Sequence, residues 1–272
     1  MQLTSEMKKI VWVASYPKSG NTWIRSILAN AIFEESDIEK LSQLIPSFPF
    51  LNESVHQTTK ELSDIGELMQ AYEKTQHCIV AQSGNNRSLV KTHNACGVID
   101  GVKFPNERYT ARAIYIVRDP RDVLVSWAAH RNTTLKKTEK AMLDVNFCIG
   151  RPGRPMNREF VSSWENHIRG WQNFAQAPLI VRYEDLINQT KPTIARVLEY
   201  LCIENFKNFD DLLSKTSFRA LQKQEENGGF NEKMGQEMFF RSGKVGSWKD
   251  CDFDFSKITR TFKSTMATYH YI

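Results

Sequence analysis

Four short apolar runs restrict this chain more than any other feature. Ile10–Ala14, Leu89–Val90, Ala113–Val117 and Leu179–Val181 do not alternate with polar residues and are rich in β-branched and aromatic side chains. Each reads as a strand buried on both faces, the pattern of a parallel sheet. The sequence between them carries helical stripes: Thr22–Phe33, with Trp23, Ile24, Ile27, Leu28, Ala31 and Ile32 on one face, then Arg121–His130 and Val161–Phe174. Strand alternating with helix predicts an α/β fold. No repeat, low-complexity tract or Pro/Ser linker marks a boundary within the 272 residues, so a single domain spanning 1–272 is expected.

Two stretches resist the scheme and are expected to be mobile loops, or else solvated linkers: Thr133–Glu159, rich in Lys and Arg, and Glu226–Ser247, which holds five glycines. A composition of 41% hydrophobic and 25% charged residues excludes disorder, collagen and coiled coil. The net charge of +5 is too mild for a general nucleic-acid coat, yet sufficient for an anionic ligand where charges cluster. Five widely spaced cysteines form no close pair that could hold zinc and read as reduced, structural thiols. The run Ile10–Ala14 is far shorter than the ~18 residues of a spanning helix, and a cytoplasmic protein is expected.

The junction between the first strand and the first helix reads Tyr16-Pro17-Lys18-Ser19-Gly20-Asn21-Thr22-Trp23. Gly20 permits a tight turn, and a helix starting near Asn21 and Thr22 presents its first amides and the positive end of its dipole, where an anion fits. Lys18 adds a full charge, and Ser19 and Thr22 offer hydroxyl donors. The plainer alternative is an ordinary strand-to-helix turn capped by Thr22. A nucleoside triphosphate loop needs Gly-x-x-x-x-Gly-Lys-Ser/Thr. Here the lysine precedes the glycine and no second glycine stands five residues upstream, which disfavours ATP and GTP.

This string closely resembles the 5′-phosphosulfate loop of sulfotransferases that use 3′-phosphoadenosine 5′-phosphosulfate (PAPS). Further matches, in that family's order, extend the resemblance to Lys249. Arg118-Asp119-Pro120-Arg121-Asp122 follows a buried strand, with Ser126 eight residues after Arg118 and facing roughly the same way. It is similar to the family's 3′-phosphate site, although alone it reads as a surface salt-bridge cluster. Arg241-Ser242-Gly243-Lys244-Val245-Gly246-Ser247-Trp248-Lys249 is similar to the element that wraps the same phosphate. Arg241, Ser242 and Gly243 take the contacting positions by resemblance, with Ser242 standing where lysine is usual unless Lys244 substitutes. Alone, this stretch reads equally as a glycine-rich hairpin. Trp23, Tyr183, Thr216 and Phe218 match the adenine contacts; taken singly each reads equally as core, and Phe218 more readily as core.

The resemblance implies a P-loop, nucleotide-kinase-like three-layer sandwich with a central parallel sheet. It implies sulfuryl transfer from PAPS to a hydroxyl of a small molecule or sugar, with adenosine 3′,5′-bisphosphate as product, and no metal, nucleic acid or membrane. Lys18 would stabilise the leaving phosphate oxygen. His93, one of six histidines, closes the short strand Ser88–Thr92, where ligands gather in open α/β sheets, and would be the general base. Lys91 and Ser126 are secondary catalytic candidates; Lys91 alone reads equally as a solvated strand-end lysine. Asn21 stands where the family usually has threonine, and its amide still donates. The basic segment from Arg131 to Arg158 favours an anionic acceptor, or is a solvated lid. A P-loop kinase using ATP, or a non-catalytic nucleotide- or RNA-binding module, stays open as an alternative. Oligomeric state is not specified.

Overall fold

The computed structural model describes residues 9–48, 65–83, 88–150, 159–203, 208–233, 238–241 and 243–272. Along the chain the strands are β1 (Ile10–Ser15), β2 (Ser88–Thr92), the short pair β3 (Gly97–Ile99) and β4 (Val102–Phe104), β5 (Thr110–Val117), the short pair β6 (Cys148–Ile149) and β7 (Glu159–Phe160), and β8 (Leu179–Arg182). The helices are α1 (Asn21–Phe33), α2 (Leu41–Leu44), α3 (Ile65–Gln82), α4 (Pro120–His130), α5 (Leu135–Leu143) and α6 (Trp164–Gln172). They continue with α7 (Tyr183–Asn188), α8 (Thr190–Tyr200), α9 (Phe209–Lys215), α10 (Phe218–Gly228), α11 (Ser256–Thr261) and α12 (Lys263–Thr268).

Two compact units organise these elements. The first comprises Met1–Tyr16, Ile45–Tyr115 and Val145–Ile180, and the second Pro17–Leu44, Ile116–Asp144 and Val181–Ile272. The central sheet has the order β2-β1-β5-β8, and its strands are the four apolar runs expected from the sequence. β1 and β2 pair in parallel, from Ile10 opposite Ser88 to Ala14 opposite Thr92. Parallel pairing buries both faces of β1, and all six of its residues are buried. The chain leaves the first unit at or near the carboxyl ends of β1, β5 and β8, and the segments that begin there carry the phosphate-like motifs.

In the first unit Trp12 is wholly buried, and its indole donates to the Thr110 hydroxyl at 3.0 Å. Its ring meets Phe48 and Phe104 edge-on at centroid distances of 5.4 and 5.3 Å, and Tyr72 of α3 closes the group against Phe48 at 5.0 Å. Such aromatic pairs contribute about 0.5–1.5 kcal/mol each beyond area burial. Helix α3 was not among the elements expected from the sequence. Its buried face, Leu68, Met69, Tyr72, Thr75 and Gln76, mixes apolar with polar side chains, which weakens the periodic signal. Helix α6 starts three residues later than Val161, because Ser163 caps it by accepting from the Asn166 amide.

In the second unit α1 is buried on nearly every side, Arg25 and Ser26 included, so the expected single stripe understates its burial. The Thr133–Glu159 loop expectation needs correction. It contains α5, whose first turn is closed by the Thr134 hydroxyl accepting from the Lys137 amide. Lys136, Lys137 and Lys140 hid this helix by giving it a loop-like composition. The second expected loop is likewise helical to Gly228, the end of α10. Residues 151–158, with Arg151, Arg154 and Arg158, lie outside the described residues. Among the described residues no helix is long and apolar enough to cross a membrane.

Gly170 tests the packing of α6. A Cβ there would lie 2.1 Å from the Cys96 carbonyl oxygen, and backbone cannot yield as a side-chain tip does. Helix propensity favours alanine over glycine by about 1 kcal/mol, but overpacking costs about 1–3 kcal/mol. Gly170→Ala therefore lowers the thermal midpoint by several degrees; a raised midpoint would show that α6 can shift without cost.

Candidate functional site

From Pro17 onward the phosphate-like turn belongs to the second unit, with Tyr16 in the first. Lys18 (φ 64°) and Gly20 (φ 101°) both adopt left-handed backbone, a conformation that turns successive amides toward one side. Gly20 precedes α1, and its carbonyl accepts from the Trp23 and Ile24 amides at 3.1 and 3.2 Å. No side chain caps the helix, so Thr22 is not a cap and the plainer reading of this turn loses its main support. The Ser19 hydroxyl is buried with no hydrogen-bond partner among the described residues, an arrangement that costs stability unless a ligand supplies an acceptor.

Thr22 has a partner that the sequence did not suggest. Its hydroxyl donates to Glu232 Oε2 at 3.3 Å, while the other Glu232 oxygen pairs with the fully buried Arg25. To serve a phosphate oxygen, Thr22 must exchange this carboxylate for the ligand. Lys18 places its ammonium 3.5 Å from the centroid of Phe239. Phe239 therefore holds that charge by cation–π attraction.

Arg118, at the start of the turn before α4, connects the sequence segments. One guanidinium nitrogen donates to the Lys18 carbonyl at 3.1 Å and the other to the Lys244 carbonyl at 3.2 Å. Its face lies 4.2 Å from the centroid of the Tyr183 ring, and its Nε is buried without a partner among the described residues. Tyr183 in turn lies against Gly20, where a Cβ would approach the ring to 2.7 Å. Burial raises the Tyr183 phenol above its ordinary range, with the Arg118 charge opposing, so the ring stays neutral.

The expected adenine contacts fall in the same unit. The Trp23 indole donates to the Thr216 carbonyl at 2.8 Å, and its ring meets Tyr183 edge-on at 6.4 Å. Phe218 covers Gly243, whose absent Cβ would sit 2.8 Å from the ring. Thus Lys18, Gly20, Trp23, Arg118, Tyr183 and Thr216 are joined by direct contacts, and Phe218 and Gly243 form a second contact within the unit. Ser126 is half-buried on α4, Asn21 is buried, and Arg241 is exposed. Ser242 lies outside the described residues.

His93 and Lys91 belong to the first unit. His93 Nδ1 lies 2.8 Å from the Ser15 carbonyl oxygen, which can only accept. This assigns the proton of the neutral ring to Nδ1 and the lone pair to Nε2. The His93 backbone is held by a group of residues that the sequence reading missed. Its carbonyl accepts from His167 Nε2 at 3.0 Å, and the Tyr115 hydroxyl donates to His167 Nδ1 at 2.9 Å. The neighbouring Asn94 accepts from Tyr72, from the Phe160 amide and, through its carbonyl, from Trp171. A histidine on the apolar face of α6 was the available signal.

Burial pushes the His167 imidazole down from 6.5 to about 3, against the opposing hydrogen bond to His93. The unfolded chain therefore takes up a proton that the folded protein refuses, and stability falls as pH drops from 6.5 toward 3, by at most about 1.4 kcal/mol per pH unit. Denaturant melts of wild type and His167→Asn across this window test it. The stability advantage of wild type shrinks on acidification; a pH-independent difference would show that His167 charges in the folded state.

The sulfotransferase domain family matches residues 8–269. Cytosolic sulfotransferase 8 of Arabidopsis thaliana is 27% identical over 259 residues, covering 87% of this chain and 70% of that protein. Human sulfotransferase 1E1 is 25% identical, covering 88% and 76%. Among solved structures, retinol dehydratase in complex with androsterone and the inactive cofactor PAP aligns with a TM-score of 0.63 at 20% identity, covering 96% of this chain and 80% of that one. Mouse sulfotransferase SULT7A1 complexed with PAP aligns with a TM-score of 0.58 at 20% identity, covering 94% and 83%. These structures share its α/β fold about a parallel sheet, and the match across nearly all of the sequence makes this chain a member of the sulfotransferase family.

Proposed function

We propose that the chain transfers the sulfuryl group of PAPS to the hydroxyl of a small-molecule acceptor. The observation that carries this reading is the Arg118 guanidinium, which spans the carbonyls of Lys18 and Lys244 with its Nε buried and without a partner among the described residues. A buried cation hydrogen-bonded only to carbonyls, with the nearest carboxylate, Asp122, 3.9 Å away, favours a further anion beside it. The Ser19 hydroxyl, buried without a partner among the described residues, and the left-handed turn at Lys18 and Gly20 suit a second anion at the 5′ side. Residues 1–272 are read as one domain, since each unit is assembled from three separated stretches of chain.

When bound, PAPS supplies an activated sulfuryl group whose departure leaves adenosine 3′,5′-bisphosphate. Ser19, Gly20, Asn21 and Thr22 would hold the 5′ side, and Arg118, Ser126, Arg241 and Gly243 the 3′-phosphate. Trp23, Tyr183, Thr216 and Phe218 would bound the adenine. Lys18, released from Phe239, would neutralise the charge that grows on the leaving oxygen. His93 Nε2 would take the acceptor proton, its ring fixed by the Ser15 carbonyl. Lys91 and Ser126 are secondary participants.

Calorimetry with adenosine 3′,5′-bisphosphate, ADP and AMP tests the nucleotide assignment. The bisphosphate binds at least ~10-fold more tightly, as expected for ~1.5–3 kcal/mol from hydrogen bonds to a charged group. Equal binding of the three would undo the Arg118 assignment and favour a kinase. His93→Ala retains nucleotide binding and loses sulfuryl transfer by at least ~100-fold, in the range of general-base effects. Transfer at the wild-type rate would remove His93 from the reaction.

A further inference from the structure

We propose that Asp122 is the positioning residue that gives the nucleotide site its preference for a 3′-phosphate. This rests on the PAPS reading above and adds a residue to which that reading gives no role. Asp122 lies in the first turn of α4 and is 1% exposed. Its two carboxylate oxygens are spent on the glycine-rich turn near the C-terminus. Oδ2 accepts from the Gly246 amide at 2.7 Å and Oδ1 from the Trp248 amide at 3.0 Å.

The turn held in this way is the one whose Lys244 carbonyl accepts from Arg118. Asp122 Oδ2 also lies 3.9 Å from the same guanidinium, too far for a hydrogen bond but within ion-pair range. Asp122 therefore acts on two things in one register: it holds the backbone from Gly246 to Trp248 and attracts the Arg118 guanidinium. Gly246 takes left-handed backbone (φ 81°), so the turn has a defined shape that the carboxylate can read. The neighbouring Arg121 adds a second anchor, with its guanidinium 3.9 Å from the Trp248 ring centroid and its charge balanced by Asp119.

Position and charge predict opposite signs. A buried negative charge beside a phosphate site repels the ligand, so its removal would tighten phosphate binding if charge were its main effect. If Asp122 acts by holding the turn and Arg118, removal weakens the contacts to the 3′-phosphate and leaves the rest of the nucleotide untouched. Asparagine keeps the side-chain shape, but its amide group cannot accept from the second backbone N–H.

The test is calorimetry of wild type and Asp122→Asn with adenosine 3′,5′-bisphosphate and with AMP. In the variant the bisphosphate weakens ~10- to 100-fold, whereas AMP stays within ~2-fold, the range set by hydrogen bonds to a charged group. Tighter bisphosphate binding, an equal loss for both nucleotides, or no change overturns the proposal. A wild-type protein that does not separate the two nucleotides overturns the PAPS reading, and this inference with it. Should Asp122→Asn fail to fold, hydrogen exchange on the wild-type protein decides. The Gly246 and Trp248 amides exchange slowly without nucleotide if Asp122 holds them, and exchange at the rate of open chain overturns the proposal.

Discussion

A buried guanidinium imposes a constraint that main-chain oxygens satisfy only in part. The carbonyls that Arg118 finds at Lys18 and Lys244 orient it but carry partial charges, and the nearest carboxylate, Asp122, is committed to two amides. Much of the desolvation cost of this cation is therefore left for an anion to offset. The rest of the second unit is arranged around that unfinished balance. The turn at Lys18 to Gly20 provides one carbonyl, the glycine-rich turn provides the other, and the Tyr183 ring covers the face of the guanidinium. Its neutrality matters, because a phenolate there would satisfy the cation without a ligand.

His93, in the first unit, is held in a different way. The Ser15 carbonyl holds the His93 ring, while His167 and the Glu159 carboxylate, which accepts from the His93 amide at 3.4 Å, hold its backbone. The carbonyl at Nδ1 sets the tautomer of the ring. The supporting layer of His167, Tyr115, Asn94, Tyr72 and Trp171 keeps its polar atoms paired in a buried setting, which rigidifies the strand end that carries His93.

The sheet was legible in the sequence because parallel strands buried on both faces cannot disguise themselves with alternating polar residues. Each of the four runs became a strand of the sheet. The tight turn between β1 and α1 was legible because Gly20 permits the left-handed backbone found there. Helix α3 was hidden by Thr75 and Gln76, which are buried through hydrogen bonds to their own helix and look exposed in a sequence. Pairings between distant segments were also invisible. Nothing about Glu232 points to Arg25, and Asp122 looks like one more acidic residue of a helix start until its two amide partners are known. A buried charge shows in sequence as an ordinary surface charge, and only tertiary context separates the two.

The second unit joins residues made at very different times during synthesis. Lys18 finds Arg118 100 residues later, Trp23 finds Thr216 193 residues later, and Arg118 finds Lys244 a further 126 residues on. The ribosome thus releases α1, buried on nearly all sides in the folded protein, long before its cover exists. The first unit can close once Ile180 has emerged, while the second must wait for nearly the whole chain. Contacts of such long range fold slowly, so during much of translation α1 lacks the partners that bury it in the folded protein.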